Sequence, residues 1–281
     1  MNKNNLYAVI LAGGSGTRLQ PISTEEKPKQ FLSFTDSKTF LEQAVERVAL
    51  TVCKNNIFVA TNERYKHAVL QTVTHQIGGV ITEPAKKNTA PAIALSCLQL
   101  LKKNSDAVVL FCPSDAFIPE KESVKDYFEK AFEYAAQNNQ IVLFGLQPNR
   151  AAIEYGYIEF ESRETMPPFF VQQFHEKPDS QHAQQYYEKE NMLWNIGMFC
   201  ARASVFLQVF EKHAPTLLKK VQNYVDGTGS YEEVQSISFD YAILEKSGNA
   251  LVFPVDFEWY DVGNVDIFLK LQKKLAGEIG K

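Results

Sequence analysis

At 281 residues the chain is long enough to bury a large core, as one big α/β domain or two small ones. A hydrophobic share of 45% and a charged share of 22% are those of an ordinary globular protein, and a net charge of -4 argues against a general binder of nucleic acid or of anionic membranes. No apolar run is long enough to span a bilayer, no signal-peptide pattern precedes the first glycines, and Cys53, Cys97, Cys112 and Cys200 form no Cys-x-x-Cys pair, so the expectation is a cytoplasmic protein with reduced thiols.

An apolar run over residues 7–12 is too short for a helix and reads as a buried strand. It opens into Leu11, Ala12, Gly13, Gly14, Ser15, Gly16, Thr17 and Arg18, where the glycines let backbone N–H groups approach an anion with no Cβ in the way. Arg18, Lys27 and Lys29 follow the same loop, so phosphate chemistry is the first expectation; the bland alternative is a glycine-rich turn with a solvated basic flank. A dinucleotide fingerprint is excluded because Leu19 stands where its third glycine belongs, and a Walker A loop because the run ends Gly-Thr-Arg. Pro21 and Pro28 oppose a long helix here, which leaves side-chain cations rather than a helix dipole to neutralise the charge.

Further strand-like runs fall at 57–61, 80–82, 107–112, 141–145, 196–201 and 250–255, with amphipathic helices at 40–50, 64–74, 90–102 and 124–137 between the early ones. This alternation predicts a mostly parallel sheet wrapped on both sides. After Gly145 the texture changes to alternating strands at 157–161 and 169–175, which suggests a second lobe with antiparallel pairing. The expected division is about 1–150 and about 151–281.

Several side chains stand where strands end. Glu83-Pro84 and Asn88-Thr89-Ala90-Pro91-Ala92 form a rigid bend into a helix, where Asn88 is either a cap or a contact for a nucleobase edge. Asp115, after Pro113-Ser114, borders the carboxyl end of a strand, where ligand crevices of open α/β sheets lie. Asp261 follows another apolar strand, and two separated aspartates beside a polyphosphate suit Mg²⁺, which takes one or two protein carboxylates; the alternative for Asp261 is a helix cap near Asn264. In Glu176-Lys177-Pro178 the proline holds Lys177 in an extended or turn geometry, suited to a second phosphate or to a surface turn. Tyr155-Gly156-Tyr157 and Trp194-Asn195-Ile196-Gly197 suit sugar hydroxyls and ring faces, or a bulged strand in a core. The histidines show no metal-ligand spacing and no Ser/His/Asp elbow occurs.

Taken in order, these segments resemble the sugar-1-phosphate nucleotidyltransferases, and among them the mannose-1-phosphate guanylyltransferases. The wider group shares the Gly-Gly-Ser-Gly-Thr-Arg loop and Glu-Lys-Pro; Pro28-Lys29-Gln30-Phe31-Leu32, the Glu83 and Asn88 segments, Trp194-Asn195 with Gly197-Met198-Phe199, and Asp240-Tyr241-Ala242 look like the guanylyl branch. The resemblance implies a Rossmann-like, GT-A-like fold with a smaller sugar-binding lobe, and transfer of GMP from GTP to mannose 1-phosphate in GDP-mannose biosynthesis. It places GTP over residues 11–18 and Ser114, with the base near Glu83, Asn88 and Ala92. Arg18 and Lys29 would hold the triphosphate, Asp115 and Asp261 a Mg²⁺ ion, Lys177 the sugar phosphate, and Gly156, Tyr157, Glu176, Asn195 and Asp240 the hexose. Ala116, Lys87, Glu154 and Ile196 depart from the usual pattern, which bears on sugar identity more than on reaction type. Another nucleoside triphosphate, a manno-configured heptose, or a non-catalytic sugar-nucleotide sensor are the alternatives. No C-terminal β-helix or isomerase domain is expected, and no nucleic-acid or membrane partner; the oligomeric state stays open, a homodimer included.

Overall fold

The computed structural model describes residues 2–14, 16–34, 38–119, 121–161 and 166–279, so Ser15 of the glycine loop lies outside the described residues. Alternation of side chains across one strand builds the layers. In β1 (Leu6–Leu11), Tyr7 and Val9 enter one apolar cluster while Leu6, Ala8 and Ile10 enter another on the opposite face. A strand buried on both faces carries no polar alternation, which is why it reads as an unbroken apolar run.

β2 (Ile57–Asn62), β3 (Gly79–Glu83) and β4 (Val108–Pro113) join β1 in parallel, in the order β3-β2-β1-β4. The crossovers are α1 (Phe40–Ala49), begun by a Thr39–Glu42 capping box, α2 (Lys66–Val73) and α3 (Thr89–Lys103). α1, α2 and the later α4 (Lys125–Gln137) cover one face; α3, α6 (Ala203–His213) and α7 (Pro215–Val225) cover the other. α2 begins later than the periodicity suggests because residues 63–65 form a separate 3₁₀ turn capped by Asn62.

The second half extends the same sheet. β6 (Ile141–Leu146), β7 (Tyr157–Glu161), β8 (Phe169–His175), β9 (Met192–Arg202) and β10 (Ala250–Val255) continue it in the order β9-β6-β10-β8-β7. β8 and β9 run against the other strands. α5 (Ser180–Tyr187), which the sequence pattern did not suggest, lies between β8 and β9.

β9 decides where the crevice forms. Its first residues, Met192 to Trp194, pair with β7, and its last, Phe199 to Arg202, pair with β4. Between them Gly197 adopts φ +73, and its N–H donates to the Asn195 side chain at 3.1 Å. The expected strand begins at 196, whereas β9 starts at Met192 and continues through the bend at Gly197. The bend forks the sheet between the end of β4 and β7.

A two-stranded ribbon lies over this fork. β5 (Ala116–Phe117) pairs antiparallel with β11 (Tyr260–Asp261), Asp261 opposite Ala116. α8 (Val265–Ile279) then packs Phe268 and Leu271 against Leu19, Leu32, Phe34, Phe40 and Phe117, a small core that ties the chain's end to the segment after the glycine loop. Asn264, not Asp261, caps α8 by accepting from the Ile267 N–H at 2.9 Å.

Close packing at β6 gives a stability test. A Cβ on Gly145 would lie 2.8 Å from Leu193 Cβ and 3.0 Å from Val252 Cγ2. Gly145→Ala is expected to destabilise the fold by about 1–3 kcal/mol through overpacking, read as a lower urea midpoint with an unchanged denaturant slope.

Candidate active site

The glycine loop is scaffolded from behind. The Ala12 carbonyl accepts from Gln30 Nε2 and from Thr61 Oγ1, each at 2.9 Å, and the Gly16 carbonyl accepts from Ser23 Oγ at 2.6 Å. Gly16 has φ +67, and a Cβ there would stand 2.9 Å from the Lys29 backbone nitrogen. Only glycine lets Lys29 approach this closely. A cavity of about 200 Å³ opens over the loop, lined by Leu11, Gly14, Gly16, Thr17, Arg18, Lys29, Lys86, Ser114 and Asp115. Ala12 is buried behind it and Lys27 is exposed away from it.

Lys29 is 5% exposed, and its ammonium lies 2.8 Å from Asp115 Oδ2 and 3.5 Å from Asp261 Oδ1. The β5–β11 ribbon is what carries Asp261 beside Asp115. Burial holds the Asp261 carboxyl above the usual carboxylate range; Lys29 and Arg18 pull it down and Asp115 pushes it up. These four side chains therefore share one electrostatic site.

A second cavity, about 510 Å³, shares Leu11, Gly14, Lys86 and Asp115 with the first and runs under Gly13, Asn88, Thr89, Ala92 and Phe199. Glu83 forms its floor at 5% exposure, hydrogen bonded by the Tyr231 hydroxyl. Burial raises the Glu83 carboxyl to about 7, with the tyrosine hydrogen bond acting against that rise. Asn88 lines the cavity and also accepts from the Thr89 N–H at 2.8 Å, so the capping geometry and the cavity position coexist.

A third cavity, about 180 Å³, lies on the far side of Asp115 and shares Pro113, Gly197 and Asp240 with the second. Gly156, Glu176, Lys177, Asn195 and Asp261 line it. Glu176 has its side chain 4% exposed and pairs with Lys177 Nζ at 2.7 Å. A Cβ on Gly156 would meet Glu176 Oε2 at 2.8 Å, so the missing side chain is the space the carboxylate occupies. Asn195 Nδ2 donates to Asp240 Oδ1 at 3.0 Å; burial, then Glu176, raise the Asp240 carboxyl. Lys177 has φ +41, the left-handed region, so of the extended and turn geometries expected before proline it takes a turn. Non-glycine residues held there by their surroundings are concentrated at functional sites.

Tyr157 does not join the third cavity. It is fully buried with Met192 and Trp194, and its hydroxyl accepts from the Ala152 N–H at 2.8 Å. Tyr155, before the glycine rather than after it, lines the cavity together with Trp259 and Glu154, whose carboxylate is held by Arg150. Lys86, Tyr231 and Ser236 were missed by the sequence reading: Lys86 stands in a basic pair inside a segment already singled out, whereas Tyr231 and Ser236 come from a distant segment without local signal.

The chain belongs to the nucleotidyl transferase family, which it matches over residues 7–278. It is 33% identical to mannose-1-phosphate guanylyltransferase 2 of Escherichia coli O157:H7, over 94% of this chain and 59% of that protein. It is 34% identical to the alginate biosynthesis protein AlgA of Pseudomonas syringae pv. tomato, over 92% of this chain and 56% of that one. The chain thus spans somewhat more than half the length of these curated relatives. Among solved structures, a mannose-1-phosphate geranyltransferase from Thermus thermophilus superimposes with a TM-score of 0.85 at 31% identity, covering 92% of this chain and 77% of that one. No helix among the described residues is long and apolar enough to cross a membrane, and Cys97, Cys112 and Cys200 are buried free thiols, with Cys53 exposed and also free.

The raised Glu83 carboxyl predicts a pH dependence of stability. Between pH 4.5, its ordinary value, and about 7 the folded protein keeps a proton that the unfolded chain releases. Its contribution is therefore fully present below pH 4.5 and is lost as pH rises through about 7. Glu83→Gln is expected to remove this loss, narrowing the stability difference between pH 5 and pH 8 by on the order of 2–3 kcal/mol in urea titrations.

Proposed function

We propose that the chain transfers GMP from GTP to α-D-mannose 1-phosphate, releasing pyrophosphate and forming GDP-mannose. The observation that carries this reading is the meeting of the three cavities at Asp115. A triphosphate laid over the glycine loop would have its base in the second cavity and its α-phosphorus facing the third. Relatives named as mannose-1-phosphate guanylyltransferases support the choice of base and sugar.

In this reading an oxygen of the sugar phosphate forms a bond to the α-phosphorus in line, the bond from that phosphorus to the β-bridging oxygen breaks, and pyrophosphate carries away the electron pair. The nucleophile needs no general base, because a phosphate monoester with a second pKa of about 6 is already mostly dianionic at neutral pH. Catalysis then consists of bringing two anions together, aligning them and neutralising the leaving group. Arg18, Lys29 and the N–H groups of the glycine loop hold the triphosphate. Lys177 grips the sugar phosphate, and Gly156, Glu176, Asn195 and Asp240 receive the hexose. Glu83, Asn88 and Ala92 receive the base.

The donor set fits a hard divalent cation. Asp115 and Asp261 present carboxylate oxygens close enough to share one ammonium, and Mg²⁺ takes one or two protein carboxylates and completes its shell with water and phosphate oxygens. Asp115 and Asp261 would hold the ion, which supplies charge neutralisation on the polyphosphate when bound. Among the described residues no cluster of three or more His, Cys, Asp or Glu side chains suits a metal, in keeping with an ion that arrives with its nucleotide. A cytoplasmic setting goes with these substrates and with the free cysteines.

Incubating the protein with Mg²⁺, each nucleoside triphosphate and a panel of sugar 1-phosphates, then weighing the products, tests the reading directly; a product of GDP-mannose mass is expected, and its absence with GTP and mannose 1-phosphate refutes it. Asp115→Asn and Asp261→Asn should each lower pyrophosphate release by roughly a hundredfold or more with the circular dichroism spectrum unchanged. Lys177→Ala should raise the KM for the sugar phosphate by roughly 10- to 100-fold, the worth of one charge-assisted hydrogen bond, and leave the KM for GTP alone.

A further inference from the structure

We infer that Tyr231 is the positioning residue that sets the enzyme's choice between guanine and adenine, by holding the Glu83 carboxylate in its acceptor-only form at the floor of the base cavity. The inference rests on the proposal that this cavity receives the base. Tyr231 is 1% exposed, and its hydroxyl donates to Glu83 Oε1 at 2.5 Å. The other Glu83 carboxylate oxygen, Oε2, lies beside Gly13, where a Cβ would stand 3.7 Å from it, and both residues line the cavity.

The chemistry of the two purines makes the protonation state decisive. Guanine presents two donors side by side, N1–H and the 2-amino group, and an ionised carboxylate accepts both. Adenine presents an acceptor at N1 beside its 6-amino donor, which a carboxylate repels at one atom, whereas a carboxylic acid offers a donor and an acceptor that match it. Four lone-pair positions on the carboxylate leave room for the tyrosine and both guanine donors. Burial alone favours the acid, and the Tyr231 hydrogen bond favours the carboxylate. Tyr231 itself remains a donor throughout, since burial and the adjacent Glu83 push its phenol far above the ordinary range.

The other charged groups around the cavity are Lys86 and Lys87 on the Glu83 loop, Asp115 across it and Asp240 at its far end. Lys87 Nζ is taken by Glu232, bonding its carbonyl at 2.7 Å with the carboxylate at 3.5 Å. The Tyr231 hydroxyl is thus the group seen to hold the Glu83 carboxylate. Its segment is stitched to the Glu83 loop: Ala90 N–H donates to the Ile237 carbonyl and Ile237 N–H to the Lys87 carbonyl, each at 3.2 Å, and Phe239 N–H donates to Thr89 Oγ1 at 2.8 Å.

The test compares kcat/KM for GTP and ATP between pH 6 and 9 in the wild type, Tyr231→Phe and Glu83→Gln, with calorimetric binding of both nucleotides as a readout independent of the sugar and of turnover. In the wild type the preference for GTP should grow as pH rises through about 7. Tyr231→Phe should lose GTP preference roughly tenfold at pH 7 and regain it by pH 9. Glu83→Gln, which fixes one donor beside one acceptor, should lose it at every pH with ATP affinity kept or raised. A Tyr231→Phe variant whose selectivity matches the wild type at all pH values, or whose GTP and ATP parameters fall together without pH recovery, overturns the inference. Wild-type protein that binds GTP in calorimetry but forms no product would sink the proposed reaction and leave the selectivity test intact; protein that binds neither nucleotide refutes both.

Discussion

One buried ammonium organises this molecule. Lys29 is almost completely removed from water, and the penalty for desolvating a charge is several kcal/mol unless a partner compensates it. Its partners come from distant parts of the chain, Asp115 from the turn after β4 and Asp261 from β11. The contact therefore requires the β5–β11 ribbon, and the ribbon in turn requires the aromatic cluster of Phe34, Phe40, Phe117 and Phe268 that pins α8. Loss of one carboxylate leaves Lys29 the other, whereas loss of both would leave its ammonium buried without compensation, so the site and the closure of the fold are linked through this residue. Gly16 is part of that solution, because a side chain there would collide with the Lys29 backbone.

The same arrangement divides the crevice by charge. Arg18, Lys29 and Lys86 line the cavity over the glycine loop, where anionic groups are favoured. Beyond Asp115 the balance reverses: Glu154, Glu176, Asp240 and Asp261 outnumber Lys177 around the third cavity. A surface of acceptors with one ammonium suits a polyhydroxylated ring carrying a single phosphate, whereas the first cavity suits a chain of phosphates. The chain is mildly acidic overall, so the cations over the glycine loop are a local concentration of positive charge.

What could be read in the sequence follows from how local each signal is. β1 and the glycines after it are contiguous, and strand burial plus missing Cβ atoms are visible in the residue types themselves. The early alternation of strands and helices was readable for the same reason, since each element is defined by its own periodicity. α5, α6 and α7 lie outside the helices expected from sequence, and of β9 only residues 196–201 are legible, because the polar Asn195 interrupts the apolar run before them. Tyr157 was placed in the sugar site from its neighbourhood alone; strand pairing with Trp194 turns it into the core, and Tyr155 faces the cavity instead. Tyr231 had no local signal, because its partner Glu83 lies on a strand far away in the chain.

The path from Tyr231 to Glu245 shows why separate sequence motifs become one site. Tyr231 hydrogen bonds Glu83 at the floor of the second cavity; residues 237–239 then bond to the Lys87–Ala90 turn. The chain enters the π-helical turn Asp240–Leu244, whose first residue lines both the second and third cavities and receives the Asn195 amide. It ends at Glu245, whose carboxylate accepts from the Glu176 N–H at 3.1 Å and so fixes the backbone before Lys177. π turns are rare and tend to occur at functional sites, and here the wide turn sits where the second and third cavities meet. One short segment thus links the second and third cavities by main-chain bonds at one end and side-chain carboxylates at the other. The proposed transfer between two bound anions would tolerate little error in the distance between them, and a segment bonded to both walls is a physical means of keeping it.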